Sequence, residues 1–223
     1  MADISVFGDS VLKGVIYENN TYKVSKNRFS NICEDILGIS IENKAKFGST
    51  INIGKNIISK NIDLIKETNS KYVVMEFGGN DCDYNWVEIS KNPDKQHVPK
   101  STIKEFIEVY SNLIEELKEL GKQPVLLSLP PIDSIKYFNY ISRKLNADNI
   151  LKWMEGNKQF LTNWHERYNI KIFGNKKLFK ITMWWWNTPK WRRTYNYCWS
   201  DKGTYRKKKN RIGRLMINYN LKG

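Results

Sequence analysis

The sequence predicts an α/β fold in which helices cover both faces of a parallel sheet. Short apolar runs alternate along the chain with amphipathic segments of about ten to twenty residues, the order that crossover connections between parallel strands produce. The clearest apolar run, residues 72–77, stops at a glycine pair, as expected for a strand buried on both faces. The 223 residues contain no internal repeat, and their number fits one domain with or without a tail.

Hydrophobic periodicity and capping residues predict the elements in order. The predicted strands cover residues 4–7, 39–45, 72–77, 123–129 and 169–173. The predicted helices cover residues 25–37, 51–65, 101–120, 135–143 and 147–168. Ser25 is the expected N-cap of the first helix and Gly38 its expected end, because serine caps helix N-termini and glycine ends helices. Residues 14–24 and 82–100 are expected to be polar and turn-rich, and the second segment is long enough to line a site.

Charge divides the chain into two parts. The formal net charge is +14, yet residues 174–223 hold 14 of the 37 Lys and Arg residues and a single acid, Asp201. The same segment holds five of the eight tryptophans. We therefore expect a nearly neutral domain at residues 1–173, followed by an aberrant basic and tryptophan-rich tail at residues 174–223.

The cysteines and the apolar runs favour a cytoplasmic protein. Cys33, Cys82 and Cys198 lack metal-ligand spacing and leave an odd thiol, which favours a reducing compartment. No apolar run reaches the length of a membrane span, and the N-terminus lacks the basic-then-apolar pattern of a signal peptide. A secreted protein that has lost its signal peptide would fit this composition as well.

Three predicted strands are followed by residues that suit acyl transfer. These stretches are Gly8-Asp9-Ser10, Gly48-Ser49 and Gly79-Asn80-Asp81. Because the carboxyl ends of parallel strands lie along one edge of a sheet, we expect the three stretches to face one substrate. Ser10 would supply the nucleophilic hydroxyl, while the Gly48 N–H and the Asn80 amide would bind the oxyanion. Taken singly, Ser10 also fits a helix N-cap, Gly48 a turn and Asn80 an Asx turn.

In order and position these stretches resemble the blocks of the SGNH or GDSL-type hydrolases. The resemblance covers roughly residues 3–173 and includes the longer stretches 7–12, 76–86 and 129–133. It implies a flavodoxin-like three-layer α/β/α sandwich with a five-stranded parallel sheet. It also implies hydrolysis of carboxylic esters, with Ser10 as nucleophile and with Ser10, Gly48 and Asn80 forming the oxyanion hole.

The same resemblance implies loop-organising roles for Asp9 and Asp81, and it implies no metal and no organic cofactor. The expected partner is a small-molecule ester: an acyl lipid, a small acyl ester or an acetylated sugar. Neither the substrate nor the oligomeric state follows from the residues.

One block of the family pattern is missing from its expected place. Members of the family carry Asp-x-x-His near the C-terminus, where the histidine is the general base and the aspartate orients it. The only histidines here are His97, in the predicted loop, and His165, on a predicted helix before the last strand. We expect His165 to be a surface residue of a helix, whereas His97 could approach the edge of the sheet from its loop and is a weak candidate for the base. Activity is therefore expected to be impaired, since loss of one triad member costs several orders of magnitude.

The composition of the tail suggests a cause for this loss. With suitable synonymous codons, residues 186–195 read one base later encode Gly-Ile-His-Pro-Asn-Gly-Glu-Gly-His, which resembles the final block of the family. We interpret the tail as a segment read out of frame, with the change of frame falling between about Tyr168 and Met183. The nucleotide sequence across codons 165–200 tests this interpretation.

Three functions stay open on the sequence alone. The first is a serine ester hydrolase weakened by the missing block. The second is a catalytically silent binding protein on the same fold. The third is a polyanion-binding protein that uses the basic stretch at residues 206–211 between aromatic residues. If the tail is out of frame, no specific nucleic-acid partner is expected.

Overall fold

A parallel sheet with helices on both faces is the framework of the protein. The computed structural model describes residues 2–18, 21–69, 71–129, 134–156 and 179–181. The strands in chain order are β1 Ile4–Gly8, β2 Val15–Glu18, β3 Thr21–Val24, β4 Ile41–Asn43, β5 Tyr72–Glu76, β6 Gln123–Leu127 and β7 Phe179–Ile181. β2 and β3 form an antiparallel hairpin. The other strands form the parallel sheet in the order β4-β1-β5-β6-β7, with the three-residue β7 at its edge.

Eight helices connect and cover these strands in the described part of the chain. They are α1 Ser10–Lys13, α2 Phe29–Leu37, α3 Ile51–Lys60, α4 Ile62–Glu67, α5 Trp86–Lys91, α6 Ile103–Glu119, α7 Ser134–Leu145 and α8 Asn149–Gly156. Threonines cap two of the main helices. The Thr50 hydroxyl accepts from the Ile53 N–H at the start of α3, and the Thr102 hydroxyl accepts from the Glu105 N–H at the start of α6.

Parallel pairing brings the carboxyl ends of three strands to one edge. In β1, Val6 pairs with Asn43 of β4 on one side and with Val74 of β5 on the other. Because all three strands run in the same direction, the loops that follow them leave the sheet at the same edge. Gly8, at the end of β1, pairs with Glu76, at the end of β5.

Each face of the sheet has its own buried cluster. On one face, Phe7, Val73 and Met75 pack with apolar residues of α3, α4 and α6. On the other face, Val6 and Val74 pack with the first helices and the residues around β4. A third cluster lies among α5, α7 and α8 and contains Cys82, Tyr84, Ile89, Phe138, Ile141, Ile150 and Trp153. The predicted α/β class with helices on both faces of a parallel sheet is thus confirmed.

Two segments that we expected to be irregular contain regular structure. Residues 14–24 form the β2–β3 hairpin rather than a loop, and residues 82–100 contain the helix α5. Every residue of β3 is exposed, so this strand lacks the alternation of buried and exposed residues that predicts a strand. The N-terminus of α5 is capped by Asn85, whose side chain accepts from the Glu88 N–H.

Helix boundaries also differ from those predicted. The first long helix begins at Phe29 with Arg28 as its N-cap, so Ser25 is not the cap, whereas Gly38 ends the helix as predicted. The helix predicted at residues 51–65 is divided at Asn61 into α3 and α4. A uniform run of isoleucines conceals this division, because periodicity reports which face is buried and not whether the axis continues.

The C-terminal part of the prediction falls largely outside the described residues. The strand expected at residues 169–173 lies there, as does the second half of the helix expected at residues 147–168. The strand β7 lies within the segment 174–223 that composition sets apart, and its residues pair with residues 125–127 of β6. Among the described residues, no helix combines the length and apolar character that crossing a bilayer requires.

Replacing Gly54 by alanine is expected to destabilise the protein by about 1–2 kcal/mol, although alanine is the better helix former. Gly54 is buried in α3, and a Cβ there would lie 2.4 Å from the ring of Phe77, which the core holds in place. Urea unfolding measures the change. Gly156→Ala is the matched control, because a Cβ at that helical glycine meets no atom within 4 Å. A Gly54→Ala variant as stable as wild type would contradict this packing.

Candidate active site

The loop after β1 places Ser10 at the start of a very short helix. Asp9 is the N-cap of α1, and its Oδ1 accepts a hydrogen bond of 2.7 Å from the Val11 N–H. Gly14 ends the helix in the left-handed conformation after a single turn. Ser10 is half-buried, while Asp9 beside it is only 3% exposed. The capping role considered for Ser10 is therefore taken by Asp9, which leaves the serine hydroxyl without that task.

The Ser10 hydroxyl makes no hydrogen bond to the residues that the structure describes. Its backbone N–H, at the first position of α1, likewise has no backbone acceptor among them. A hydroxyl and an adjacent N–H, both without a partner, are available to a bound molecule.

Gly48 lies in the turn after β4 with a left-handed backbone, φ = 75°. A Cβ at this position would meet no atom within 4 Å, so the backbone angle rather than space favours glycine. Its N–H has no acceptor among the described residues, whereas the next N–H, of Ser49, donates to the Lys46 carbonyl. This glycine is a turn residue whose N–H is free to bind a ligand.

The Asn80 amide connects the loops that carry the other two candidates. Asn80 Nδ2 donates to Asp9 Oδ2 at 3.0 Å and to the Ser49 carbonyl oxygen at 3.1 Å. Asp9 immediately precedes Ser10, and Ser49 immediately follows Gly48. The structure therefore brings the loops containing Ser10, Gly48 and Asn80 together at one edge of the sheet.

Three buried carboxyl groups lie behind these loops, on Asp9, Glu76 and Asp81. Burial raises the pKa of Asp9 to about 6, although the hydrogen bonds from Val11 and Asn80 oppose the rise. Burial also raises the pKa of Glu76 well above its usual range, and the charge of Asp9 adds to this. Of the three, Glu76 was not among the candidates from the sequence. The sequence feature that could have identified Glu76 was the presence of a single acidic residue within the apolar run at residues 72–77.

Asp81 connects two loops to the start of α3. Both of its carboxylate oxygens accept from the Ile51 N–H, at 3.0 and 3.1 Å, and Oδ1 also accepts from the Ser101 hydroxyl at 2.8 Å. The Ser101 N–H donates to the Asp81 carbonyl at 3.2 Å. These contacts fix the loop after β5, on which Asn80 lies, against the helix that follows Gly48.

A second acid that sequence reasoning missed, the partly buried Asp83, holds the segment around α5 against α7. Its carboxylate accepts from the Tyr137 hydroxyl and the Trp86 indole N–H and forms an ion pair of 3.5 Å with Lys100. Burial raises the pKa of Asp83, against the effect of these donors. The segment that we expected to be a site-lining loop is thus anchored to the third buried cluster, of which Trp86 is a partly buried neighbour.

His97, the histidine that the described residues contain, is not bonded to Ser10. His97 Nε2 lies 2.8 Å from the Asn92 carbonyl oxygen, and its ring packs on Trp153. Asp94 does precede His97 by three residues, so the Asp-x-x-His spacing occurs here, early in the chain, but the exposed Asp94 makes no hydrogen bond to His97. No hydrogen bond joins His97 to Ser10 among the described residues. His165 lies outside these residues.

An aromatic cluster borders the turn that contains Gly48. Tyr22 of the hairpin contacts Phe47, the residue before Gly48, with ring centroids 5.4 Å apart. Tyr17 contacts Tyr22 at 4.9 Å and Tyr140 of α7 at 5.8 Å. Phe47 is 52% exposed and Tyr22 is 48% exposed. The cluster therefore offers apolar surface to solvent directly beside the candidate site.

The described residues contain no group of three or more His, Cys, Asp or Glu side chains that could hold a metal ion. The described residues supply a hydroxyl that can attack a carbonyl carbon. They also supply a side-chain amide and two backbone N–H groups without a described acceptor, which can bind the carbonyl oxygen. Neither role requires a metal.

Comparison with known proteins gives one family. A family model described as GDSL-like Lipase/Acylhydrolase matches residues 4–187. No curated protein matches the chain. Solved structures that resemble it include a lipase/acylhydrolase from Enterococcus faecalis, at 20% identity and a TM-score of 0.47, covering 86% of this chain and 82% of that one.

Two further solved structures resemble the chain at similar levels. The SGNH-hydrolase family esterase AlinE4 is 22% identical with a TM-score of 0.43, and the match covers 65% of this chain and 72% of that one. A putative lipolytic protein of the G-D-S-L family from Desulfitobacterium hafniense DCB-2 is 14% identical with a TM-score of 0.44, and the match covers 80% and 75% of the two chains.

Replacing Asp81 by asparagine is expected to destabilise the protein by about 1–3 kcal/mol, because the buried Ile51 N–H and Ser101 hydroxyl lose a charged acceptor. Ser101→Ala removes one donor and leaves the Ile51 contact, so its expected cost is smaller, about 0.5–1.5 kcal/mol. Both are measured by urea unfolding. Equal stability of Asp81→Asn and wild type would show that this carboxylate does not hold the loop.

Proposed function

Because the chain belongs to the GDSL-like lipase/acylhydrolase family, we propose that it is a serine ester hydrolase in which Ser10 is the nucleophile. Its substrate is a carboxylic ester, in which an acyl group is joined to a lipid, a small alcohol or a sugar. No cofactor takes part in the proposed reaction, because hydroxyl attack on an ester needs only a proton acceptor and an oxyanion site.

The proposed reaction has two steps. Ser10 Oγ attacks the carbonyl carbon of the ester and loses its proton to a base, and the negative charge moves to the carbonyl oxygen. The bond to the alcohol then breaks, the alcohol leaves with the proton, and an acyl group remains on Ser10. A water molecule attacks the acyl group in the same way, releasing the acid and restoring the serine.

The Asn80 amide is the observation that supports this assignment most strongly. A single nitrogen atom lies at hydrogen-bond distance from the residue before Ser10 and from the residue after Gly48. In an isolated Asx turn, the asparagine side chain would instead form a hydrogen bond with the backbone of its own loop, within a few residues along the chain. The contacts of Asn80 reach 71 and 31 residues away, as expected when three loops build one site.

We assign the oxyanion hole to the Ser10 N–H, the Gly48 N–H and the Asn80 amide. Neither backbone N–H donates to a described residue, so neither must give up a bond to bind substrate. Asn80 must give up one of its two bonds. The bond to the neutral Ser49 carbonyl is the weaker of the two, because hydrogen bonds to carboxylates are stronger, so the oxyanion takes that hydrogen.

The proton acceptor is the weak part of this site. No described residue accepts a hydrogen bond from Ser10, and His97 bonds the Asn92 carbonyl instead. We propose that the base belongs to the final family block and that the change of frame inferred for the tail has removed it. An oxyanion hole and a bound substrate then remain, which supports slow hydrolysis only.

The unpartnered Ser10 hydroxyl favours a second candidate function. A catalytically silent protein on this fold would bind an ester or its products at the same donors without turning them over. Substitution of the nucleophile separates the two candidates, because a binding protein loses no turnover when Ser10 is changed.

The first test is hydrolysis of p-nitrophenyl acetate by wild type and by Ser10→Ala. Wild type should hydrolyse the ester slowly but above the rate in buffer, and Ser10→Ala should lose the difference, because the acyl-enzyme cannot form. His97→Ala is the control and should keep the wild-type rate, since the hydrogen bond that His97 forms goes to the Asn92 carbonyl. Equal rates for wild type and Ser10→Ala would favour the binding protein.

The second test restores the final block. A variant whose tail is read one base later, and in which the glycine three residues before the new histidine is changed to aspartate, should hydrolyse the ester about 10³-fold faster or more. The reason is that Ser10 gains an oriented base. A repaired variant that is no faster than the chain as it stands would show that the base lies elsewhere.

A further inference from the structure

Glu76 is a buried acid for which the proposed reaction has no use. It is the last residue of β5, it is 0% exposed, and neither carboxyl oxygen has a well-aligned hydrogen-bond donor among the described residues. The Asp9 backbone N–H lies near the carboxyl and opposes the rise of its pKa, but burial has the larger effect. Glu76 lies directly behind the serine loop. Its backbone pairs with Gly8, and a Cβ on Gly8 would lie 2.9 Å from the Glu76 carbonyl oxygen.

The groups that face Glu76 are acids and a phenol. Asp9 lies within hydrogen-bonding reach of the Glu76 carboxyl, and Tyr110 of α6 lies near it. The charge of Asp81, in the loop after β5, raises the pKa of Glu76 further. None of these groups carries a positive charge. An ionised carboxylate that is fully buried, has no well-aligned donor and lies beside other acids is strongly unfavourable, so the group takes up a proton instead.

We propose that Glu76 is a neutral carboxylic acid that donates a hydrogen bond to the Asp9 carboxylate and so positions the serine loop. The proton on Glu76 gives Asp9 a third donor beside the Val11 N–H and the Asn80 amide. Asp9 has room for it, since each of its oxygens accepts one of those two bonds and has a further lone pair. Glu76 is thus a positioning residue that acts on Ser10 and Asn80 through Asp9.

The order of the two acidities agrees with this assignment. The pKa of Asp9 is about 6, whereas burial and the charge of Asp9 hold the pKa of Glu76 well above its usual range. This order supports a state in which Asp9 is ionised and accepts, while Glu76 is protonated and donates. The inference deepens the proposed function because Asp9 precedes Ser10, but its tests measure protonation and stability and require no turnover.

The direct test is carboxyl ¹³C NMR of protein labelled at its glutamates. The Glu76 signal is identified by its absence from Glu76→Gln, which keeps the shape of the neutral acid and an N–H donor. At pH 7 the signal should have the chemical shift of a neutral acid, and it should move to that of a carboxylate only at higher pH. A carboxylate shift at pH 7 would overturn the proposal.

The second test is the pH dependence of stability. A proton held more tightly by the folded chain makes the free energy of unfolding fall as pH rises, from the ordinary glutamate pKa of 4.5 up to the raised pKa of the folded state. Glu76→Gln removes this pH-dependent contribution to the free energy of unfolding. The melting temperature of the variant minus that of wild type should therefore increase steadily with pH above 4.5. The exposed Glu119→Gln is the matched control and should show no such trend. Parallel curves for Glu76→Gln and wild type would overturn the proposal.

The positioning role itself is tested by comparing Glu76→Gln with Glu76→Leu. The amide can still donate to Asp9, and leucine cannot. The Val11 N–H donates a hydrogen bond to the Asp9 carboxylate. Its hydrogen exchange should be as slow in Glu76→Gln as in wild type and faster in Glu76→Leu. Faster exchange in the glutamine variant as well, or unchanged exchange in the leucine variant, would show that the donated bond does not hold the loop. If the leucine variant does not fold, the glutamine variant and the NMR titration still decide the protonation state.

Discussion

The hydrogen bond from the Asn80 amide to the Asp9 carboxylate, 3.0 Å long, is the contact on which the candidate site depends. The loops after β1, β4 and β5 share an edge because their strands are parallel, but an edge does not determine where a side chain lies. Asn80 does so, because the same nitrogen also binds the Ser49 carbonyl. A rigid sandwich with separately packed clusters on the two faces of the sheet holds the strand ends still enough for this bond to form.

Burying the Asp9 carboxylate is costly, and this cost determines which residues must surround it. A carboxylate that is 3% exposed needs donors, and it obtains them from Val11 and Asn80. The buried Asp81 carboxylate likewise accepts hydrogen bonds from the Ile51 N–H and the Ser101 hydroxyl. Glu76 has no well-aligned donor among the described residues, and in our proposal it keeps a proton instead, which turns it from an acceptor into a donor. Three acids thus lie close together because one of them is neutral.

The hydrogen bonds of the described residues also bear on the proposed activity. Two of the proposed oxyanion donors, the Ser10 and Gly48 N–H groups, have no backbone acceptor among the described residues, and the proposed nucleophile Ser10 is half-buried. The histidine that the described residues contain is bound to the Asn92 carbonyl, and the aspartate with the right spacing before it is exposed and not bonded to it. Spacing along the chain therefore does not make a catalytic pair, since the pair must also face the nucleophile.

The sequence by itself determined the α/β class, the positions of four of the parallel strands and the strand-end loops that carry Ser10, Gly48 and Asn80, because these follow from local apolar runs and the turn residues that end them. It did not determine the β2–β3 hairpin, whose exposed β3 strand has no pattern of burial, or the division between α3 and α4. Only the tertiary structure decided which partner each polar group has. Asn80 binds residues 71 and 31 positions away, and Glu76 faces an acid on another strand's loop. Protonation and hydrogen bonding in a buried site depend on groups that folding brings together from distant parts of the chain, and no local pattern encodes those distances.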